Sequence, residues 1–398
     1  MALPLKAIFA LLCLAVLVSH LLAMSRWNES RGVYDDICYL RQAHLFQRFG
    51  LKGFDTDISR DDDGYLTSKL KEVGYPTWND AATAPCHNPM PATGKLVIQY
   101  PPGVGLVLAL FPAGHQVVPM YMLATLAVFG FAMSALFLAR TINSIVMVGI
   151  FGCAAVYLMI NPIKASYSMA PTAVLCALAG LLTARWLAGP EKDSKTELIA
   201  SLGFLFGLGV DFRLANLFLA AGYGIFLLVS FLGSRKALQF WQGVSFAIAF
   251  VVGMAPTLVS QAINSGSALT STYSGSPDVK PFDLSFSAFW GYLHDPLQVV
   301  LLILAIAGAL ALLRRDNGTR HVAQLTLANL AVNLAFFLTY PIATPYYTIP
   351  IALLSLWSLL FALVMQEAES DARRRKEPGL GSVPAHKRSP LQAVRRQG

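Results

Sequence analysis

Long runs of uncharged, apolar residues recur along most of the chain, and they constrain its fold more than any other feature. A helix that crosses a bilayer needs roughly 17 to 25 such residues, because each residue rises about 1.5 Å and the hydrocarbon is about 30 Å thick. Only 13% of the 398 residues are charged and 55% are hydrophobic, whereas soluble domains carry about 25% charged residues. The pattern predicts an all-α polytopic membrane protein and disfavours a water-soluble fold.

About ten transmembrane helices are expected within one domain, residues 1–366. The runs long enough to span are 3–24, 117–139, 145–161, 168–188, 197–212, 215–233, 238–260, 296–313, 321–340 and 346–366. A further apolar run from Gly103 to His115 is shorter and contains Pro112. We expect an interfacial or re-entrant helix there rather than a span.

Lysine and arginine are divided unevenly between alternate loops. One set of loops and helix ends holds nine of them, and the opposite set holds three, Lys164, Arg213 and Lys280. Short cytoplasmic loops are enriched in basic residues, so the first set and both termini are predicted to be cytoplasmic. The basic residues that give the net charge of +8 are therefore mostly topology signals, and no nucleic-acid partner is expected. Residues 367–398 are basic and contain Pro and Gly, which predicts a disordered tail.

The N-terminal run has an alternative interpretation as a cleaved secretory signal. Its apolar stretch exceeds the roughly 7 to 15 residues usual for a signal core, so an uncleaved first span is preferred. Either choice places residues 25–116 outside as the first exocytoplasmic loop, and 261–295 forms the second. A water-accessible site is expected on this outer face, because it holds most of the polar residues.

Two of the five cysteines, Cys38 and Cys86, lie in the first outer loop, whereas the other three lie in apolar spans. In an oxidising compartment these two could form a disulfide. The alternative is two free thiols, because the sequence does not give their distance.

Adjacent carboxylates, Asp35 and Asp36, precede a segment in which apolar residues recur every three positions. This spacing predicts an amphipathic interfacial helix. The two acids could stabilise its N-terminus through the helix dipole or take part in catalysis, and both interpretations stay open at this point. A second acidic cluster, from Asp55 to Asp63, lacks the Gly and Glu that an EF-hand requires, so we expect a solvated turn.

Three further features are candidates for binding. Arg213 lies where the fifth span meets the sixth, and its guanidinium could clamp a phosphate or extend to the lipid headgroups. Tyr100, Pro101 and Pro102 turn the chain from the outer loop toward the membrane, which could be a purely structural role. Tyr273 belongs to a second outer loop rich in Ser, Gly, Tyr and Trp, a composition that suits sugars but also interfacial loops.

The order of these motifs resembles that of the GT-C glycosyltransferases over roughly residues 1–366. The segments that carry the resemblance are YDDICYLRQAHLFQRFG, YPPGVGLVLALF, GFLFGLGVDFR, NSGSALTSTY and PYYTIPIALL. The nearest branch is similar to the aminoarabinose-transferases and the protein O-mannosyltransferase-like proteins. The resemblance implies a GT-C-like fold with interfacial helices in its long first outer loop. It also implies an enzyme that moves a sugar from a polyprenyl-phosphate donor to a glycolipid, polysaccharide or protein acceptor at the periplasmic face of a bacterial inner membrane. Inversion is expected if the transfer is a single displacement.

The resemblance also implies roles for individual residues. Asp35 matches the carboxylate that acts as general base or positions the acceptor hydroxyl, and Asp36 matches the second member of the acidic pair. Arg213 matches a donor-phosphate ligand. Many relatives have Arg-Tyr where this chain has Pro-Tyr before the last span, so a second phosphate contact would come from Lys164 or Lys280.

The residues that would shape the cavity are Tyr100, Pro101, Pro102, Tyr273 and Tyr346. No cofactor is certain, although Asp35 and Asp36 could ligate a divalent metal. Two rival interpretations remain: a carrier or flippase for lipid-linked sugars, and a non-catalytic membrane protein. Transporters of this kind place charged residues near the membrane centre, in broken helices and paired repeats, whereas the charges of interest here lie at the outer ends of spans.

Overall fold

A computed structural model describes residues 2–29, 34–160, 166–189, 195–274, 281, 283–284, 287–315, 317–340 and 345–376. In this part the chain is nearly all α-helical, with a single antiparallel hairpin of β1 (His87–Met90) and β2 (Lys95–Ile98). The helices are α1 (Ala2–Met24), α2 (Tyr34–Phe49), α3 (Tyr65–Glu72), α4 (Gly103–Leu108), α5 (Val117–Leu138), α6 (Ile142–Leu158), α7 (Met169–Ala188), α8 (Lys195–Phe212), α9 (Leu217–Ser234), α10 (Ala237–Gly253), α11 (Ala255–Ser265), α12 (Ser287–Leu293), α13 (Pro296–Leu312), α14 (Asn317–Thr339) and α15 (Pro345–Lys376).

Each of the ten predicted spans coincides with one of these helices or, for 238–260, with the pair α10 and α11. Within the described residues, six helices are long and apolar enough to cross a membrane, and the bent pair would make seven. The six segments are Leu3–Met24, Val117–Leu138, Met169–Ala188, Leu214–Ser234, Gly318–Thr339 and Tyr347–Asp371. The fold is therefore compatible with a polytopic membrane protein, but the predicted count of about ten spans is not confirmed. Helices α6 and α13 are apolar but have only 17 residues each.

The predicted span 238–260 is not a straight helix. It bends by 52° between α10 and α11, where Met254 lies outside the regular helix. Pro256 occupies the first turn of α11. Proline fits a helix start because it lacks an N–H, but its ring clashes with a preceding helical turn. The break therefore has a local cause, and α11 projects away from the axis of α10.

Helices α8 and α10 pack with their backbones in close contact. A Cβ atom added to Gly207 of α8 would lie 2.1 Å from the Phe250 carbonyl oxygen, and one added to Gly253 would lie 2.2 Å from the Phe204 oxygen. Small residues let membrane helices approach this closely. The contact fixes the end of α8, and with it Arg213, against the α10–α11 bend.

Helix α15 lies at the centre of the bundle. In the most apolar stretch of this helix, within Tyr347–Asp371, 94% of the residues are buried. Trp357 packs against Gly180 of α7. The helix continues to Lys376, past the predicted boundary between span and tail at residue 366. The first residues of the predicted disordered tail are thus helical, because the regular backbone of α15 continues into its polar end. Residues 377–398 lie outside the described part.

Helix α2 forms as predicted, but it is not a one-sided amphipathic helix. All residues from Asp36 to Phe46 are buried except His44, which is half-buried. Polar residues on the face expected to meet solvent are enclosed by the rest of the outer loop. Arg41, for example, donates to the carbonyl oxygens of Thr56 (2.8 Å) and Asp57 (2.8 Å). These contacts satisfy a guanidinium that would otherwise be costly to bury.

A disulfide joins Cys38 of α2 to Cys86, the residue before β1. It therefore connects α2 to the hairpin across the first outer loop. The neighbouring His87 accepts a hydrogen bond from Arg41 at Nε2 (3.0 Å) and lies 2.7 Å from the Pro85 oxygen through Nδ1. Burial and, to a smaller extent, the positive charge of Arg41 together lower the pKa of His87 to about 3. The imidazole is therefore neutral at neutral pH.

The acidic cluster between Asp55 and Asp63 is a solvated turn only in part, because Asp62 and Asp63 are exposed whereas Asp55 is half-buried. Asp55 forms ion pairs with Arg60 (3.0 Å) and Lys95 (3.0 Å), and Arg48 pairs with Asp62. Burial alone would raise the pKa of Asp55, but the hydrogen bonds from Lys95 and Arg60 lower it below its ordinary value. The prediction was wrong for Asp55 because one of its two partners, Lys95, lies on the hairpin and is distant in sequence.

Candidate functional site

Tyr39 lies at the centre of the candidate site, one helical turn after Asp36 on α2. Its side chain is buried and lies near the side chains of Ser166 and Ser168. Burial raises the pKa of its phenol, whereas the nearby positive charge of Arg213 opposes that rise and the negative charge of Asp36 adds to it. One ring therefore lies in the electrostatic field of both the acid of the first outer loop and the arginine of the α8–α9 junction.

Asp36 occupies the first turn of α2 and is only 1% exposed. Its Oδ1 accepts a hydrogen bond from the backbone N–H of Tyr167 (3.2 Å). The Tyr167 hydroxyl in turn donates to the Glu29 carbonyl oxygen, and the Tyr121 hydroxyl donates to the Ser166 oxygen (3.0 Å). The segment before α7 thus contacts the first outer loop at Asp36 and Glu29 and contacts α5 at Tyr121, and the bond from Tyr167 orients the Asp36 carboxylate.

Four predicted site residues cannot be placed by their side chains. Asp35 lies in α2 beside Asp36, but its side chain is outside the described part of the structure, as is that of Tyr346 at the start of α15. Lys164 and Lys280 fall wholly outside the described residues. Their roles remain predictions.

Arg213 follows α8 with an extended backbone (φ −163°, ψ 127°) before a short 3₁₀ turn, Leu214–Asn216. Its guanidinium lies 4.6 Å from the ring centroid of Tyr347, near the start of α15. The side chain is half-buried, so its charge is partly shielded from water. A cation in this setting interacts more strongly with an anion than one in open solvent.

The turn from Tyr100 to Pro102 packs directly against this centre. The Tyr100 ring stacks on Tyr39 with centroids 4.9 Å apart, and it lies 6.0 Å from the ring of Tyr273. Pro101 and Pro102 line a small cleft together with Tyr100 and Tyr273. The structure thus brings four of the five predicted cavity residues to one cleft, and Tyr100 connects this cleft to Tyr39 of α2.

An apolar groove of about 750 Å³ runs between α9 and α10. It extends on α9 from Leu217 to Phe231, about 20 Å at 1.5 Å per residue, and Gln239 is its main polar contributor. The end of the groove at Phe218 is linked to Arg213 by ring contacts. Phe218 lies 5.8 Å from Phe337, which stacks on Tyr347 at 5.1 Å, and Tyr347 lies beneath the Arg213 guanidinium.

Among the side chains that the structure describes, one group has the spacing of metal ligands: Cys38, Cys86 and His87. The two sulfur atoms are bonded to each other, and both nitrogens of His87 have hydrogen-bond partners. This group is therefore a structural unit rather than a metal centre. Metal binding by the acidic pair stays a prediction, because it depends on the Asp35 carboxylate.

Tyr39, Ser166 and Ser168 were not among the predicted site residues. A signal existed for Tyr39, because a residue three positions after Asp36 lies on the same face of a helix. No signal existed for the serines, which precede α7 in a segment without a motif.

Comparison with known proteins adds no family or homologue. No protein-family model matches the chain, and no curated protein or solved structure has significant similarity to it. The resemblance of its motifs to the GT-C glycosyltransferases stays a prediction from sequence.

Proposed function

We propose that this protein is a membrane glycosyltransferase that moves a sugar from a polyprenyl-phosphate donor to an acceptor, on the outer face of a bacterial inner membrane. The single observation that carries the proposal is that Tyr100 stacks on Tyr39, one turn after Asp36, and lines a small cleft together with Leu214, the residue after Arg213. Such a reaction needs a carboxylate near the attacking oxygen and a cation near the leaving phosphate. The helix that carries the acidic pair and the turn that carries Arg213 therefore lie near the same cleft.

The proposed reaction is a single displacement. An acceptor oxygen attacks the anomeric carbon while the bond from that carbon to the phosphate oxygen breaks, so the configuration inverts. The carboxylate of Asp35 takes the proton from the acceptor. Asp36 orients either the acceptor or the Asp35 carboxylate. The leaving polyprenyl phosphate keeps the electron pair of the broken bond, and Arg213 stabilises the negative charge with a planar pair of N–H donors.

The groove between α9 and α10 supports a lipid-linked donor. Its walls are almost wholly apolar, and one end lies beside the aromatic cluster that carries Arg213. An isoprenoid chain would remain in an apolar environment along this groove while its phosphate reaches the guanidinium. A nucleotide sugar would gain nothing from such a groove, because its base and ribose are polar.

The acceptor would approach from the outer loop. The Tyr100 ring lies between those of Tyr39 and Tyr273 in sequence of contact, stacking on Tyr39 and lying 6.0 Å from Tyr273. Ser260 and Ser271 line the adjoining cleft. Rings and hydroxyls together suit a carbohydrate or another hydroxyl-bearing acceptor. The acceptor can thus be a glycolipid, a polysaccharide or a protein side chain.

The decisive experiment is a transfer assay with the purified full chain in nanodiscs and a panel of polyprenyl-phosphate sugars. Product formation from at least one donor, with release of polyprenyl phosphate, is expected. Parallel reactions with EDTA and with added Mg²⁺ or Mn²⁺ measure metal dependence. No transfer from any donor and acceptor pair, with a correctly folded chain, would contradict the proposal.

A carrier of lipid-linked sugars is the second candidate, and the bend between α10 and α11 favours it. Broken helices are frequent in transporters, where their ends contact the substrate. The two candidates differ in what the donor becomes. A carrier moves an intact fluorescent donor between leaflets of a vesicle, whereas a transferase separates sugar from phosphate.

A further inference from the structure

Helix α11 is fastened at its start to the end of α8. Asp211 of α8 accepts hydrogen bonds at Oδ1 from the Thr257 backbone N–H (2.9 Å) and from the Thr257 hydroxyl (2.6 Å). Only 1% of Asp211 is exposed. A carboxylate at this place satisfies an N–H that the first turn of a helix leaves unpaired and interacts favourably with the helix dipole. Because Arg213 follows Asp211 by two residues, its backbone is tied to the start of α11.

The other end of α11 is fastened to the first outer loop. The side chain of Asn264 is fully buried. Its Nδ2 donates to the Phe54 carbonyl oxygen (2.8 Å), and its Oδ1 accepts from the Thr56 backbone N–H (2.9 Å). Thr56 also binds Arg41 of α2 through its carbonyl oxygen (2.8 Å). A continuous set of buried hydrogen bonds therefore leads from α11 to the helix that carries the acidic pair.

The turn before α4 also packs against Asp211. A Cβ atom added to Gly103 would lie 2.6 Å from the Asp211 carbonyl oxygen and 2.8 Å from the Asp211 Cβ. Only glycine allows this approach. The Tyr100–Gly103 turn, the start of α11 and the end of α8 therefore meet at one buried residue.

We propose that α11 is a rigid strut that sets the distance between Arg213 and the acidic pair, with Asp211 and Asn264 as its positioning residues. This inference rests on the proposed function, because it assigns the two ends of the strut to donor phosphate and acceptor. The helix has 11 residues and spans about 16 Å. Displacing reacting groups by about 1 Å can cost on the order of 10²-fold in rate, so a short, doubly fastened helix suits this role.

The test compares kinetic constants of Asp211→Ala, Thr257→Val and Asp211→Asn in nanodiscs. For Asp211→Ala we expect kcat to fall by about 10- to 100-fold with a much smaller change in donor KM, because Arg213 still binds phosphate but is misaligned. Thr257→Val removes only one donor and should act in the same direction more weakly. Asp211→Asn keeps the Oδ1 acceptor and should recover most of kcat, which a requirement for negative charge would not allow.

The matched control is Glu367→Ala. Glu367 is also a carboxylate that binds the start of another helix, since it accepts from Thr141 Oγ1 (2.9 Å) and Ser144 Oγ (2.7 Å) at the first turn of α6. Its loss should lower the melting temperature without changing kcat. The strut model is overturned if Asp211→Ala loses no more kcat than Glu367→Ala.

Hydrogen exchange separates failure of the strut from failure of the proposed function. Asp211→Ala should speed amide exchange in residues 255–265, and Asn264→Ala should do the same from the other end. The double variant Asp211→Ala/Asn264→Ala should lower kcat by less than the product of the two single reductions, because losing the contacts at either end of α11 already releases the helix. If the wild-type chain transfers no sugar, the proposed function fails, and exchange still decides whether the strut exists. If residues 255–265 exchange as slowly in Asp211→Ala as in the wild type, the strut itself is overturned.

Discussion

Replacing Arg213 by alanine is the most direct test of the donor site. The guanidinium has two separable roles: a proposed one, in which its charge binds the donor phosphate, and an observed contact over the Tyr347 ring at 4.6 Å. The first role predicts a loss of donor binding. The second predicts only a modest loss of folding stability, about 0.5–2 kcal/mol for a cation–π contact.

The expected size of the binding loss follows from the type of contact. A hydrogen bond to a charged partner contributes about 1.5–3 kcal/mol, which corresponds to roughly a 10- to 150-fold weaker donor affinity. Arg213 is half-buried, so solvent screening places the effect toward the lower part of that range. Arg213→Lys keeps the charge but loses the planar fork, and it should recover part of the affinity.

The assay is equilibrium binding of a fluorescent polyprenyl-phosphate sugar to each variant in nanodiscs, with melting temperature measured on the same samples. Tyr347→Leu removes the ring contact but keeps the Arg213 charge, so it should lower stability while affecting donor affinity less. Arg48→Ala is a matched control, because Arg48 also lies in the outer part of the chain but pairs with Asp62 away from the site. Unchanged donor affinity in Arg213→Ala would refute the phosphate role and favour an arginine that only extends to the headgroups.

Three further predictions concern the first outer loop. Asp35→Asn should lower the transfer rate by roughly 10² or more at a near wild-type melting temperature, and Asp36→Asn should cost less because an amide oxygen still accepts a hydrogen bond; wild-type turnover in Asp35→Asn would leave only the capping role. Cys38 and Cys86 should resist alkylation in unreduced protein and react after reduction and unfolding, as read by mass spectrometry; free modification of both without reductant would contradict the disulfide. The pKa of His87 is lowered from 6.5 to about 3, so between these values the unfolded chain binds a proton that the folded chain does not, and stability should fall as the pH drops through that window. Melting curves from pH 7 to pH 4 should show a smaller fall for His87→Gln, and an equal fall would exclude this histidine as the cause.

The positions of the long helices were determined by the sequence itself. Each of the ten runs predicted to span coincides with a helix or with the α10–α11 pair, whereas the shorter run from Gly103 to His115 is an α-helix only over Gly103–Leu108. The reason is local: a continuous apolar segment must satisfy its backbone hydrogen bonds internally if it is to leave water. The same runs do not determine the number of membrane spans, because α6 and α13 are apolar but have only 17 residues each. Apolar length alone also missed the bend at Met254, although Pro256 gave a visible local signal.

The burial of polar residues depended on tertiary structure. Three-residue spacing predicted a helix at α2 with one apolar face, but Arg41 and Gln42 on the other face are also buried. Periodicity describes one helix, and it does not show which other segments will cover the polar face. Likewise, the acidic residues near Asp55 were expected to be solvated. The sequence does not show that Lys95 pairs with Asp55, because the two residues meet only when the hairpin folds.

The candidate site itself was decided almost wholly by tertiary structure. The sequence indicated Asp36, Arg213 and the Tyr100 turn as separate motifs, each with an ordinary structural explanation. Their meeting around Tyr39 requires α2, the lead-in to α7 and the end of α8 to converge, and the α11 contacts at Asp211 and Asn264 contribute to this arrangement. Hydrogen bonds and charge contacts of this kind join residues more than 100 positions apart, so no local pattern of residues contains them. Local hydrophobicity therefore determined where the helices form, whereas non-local polar contacts determined which side chains share a site.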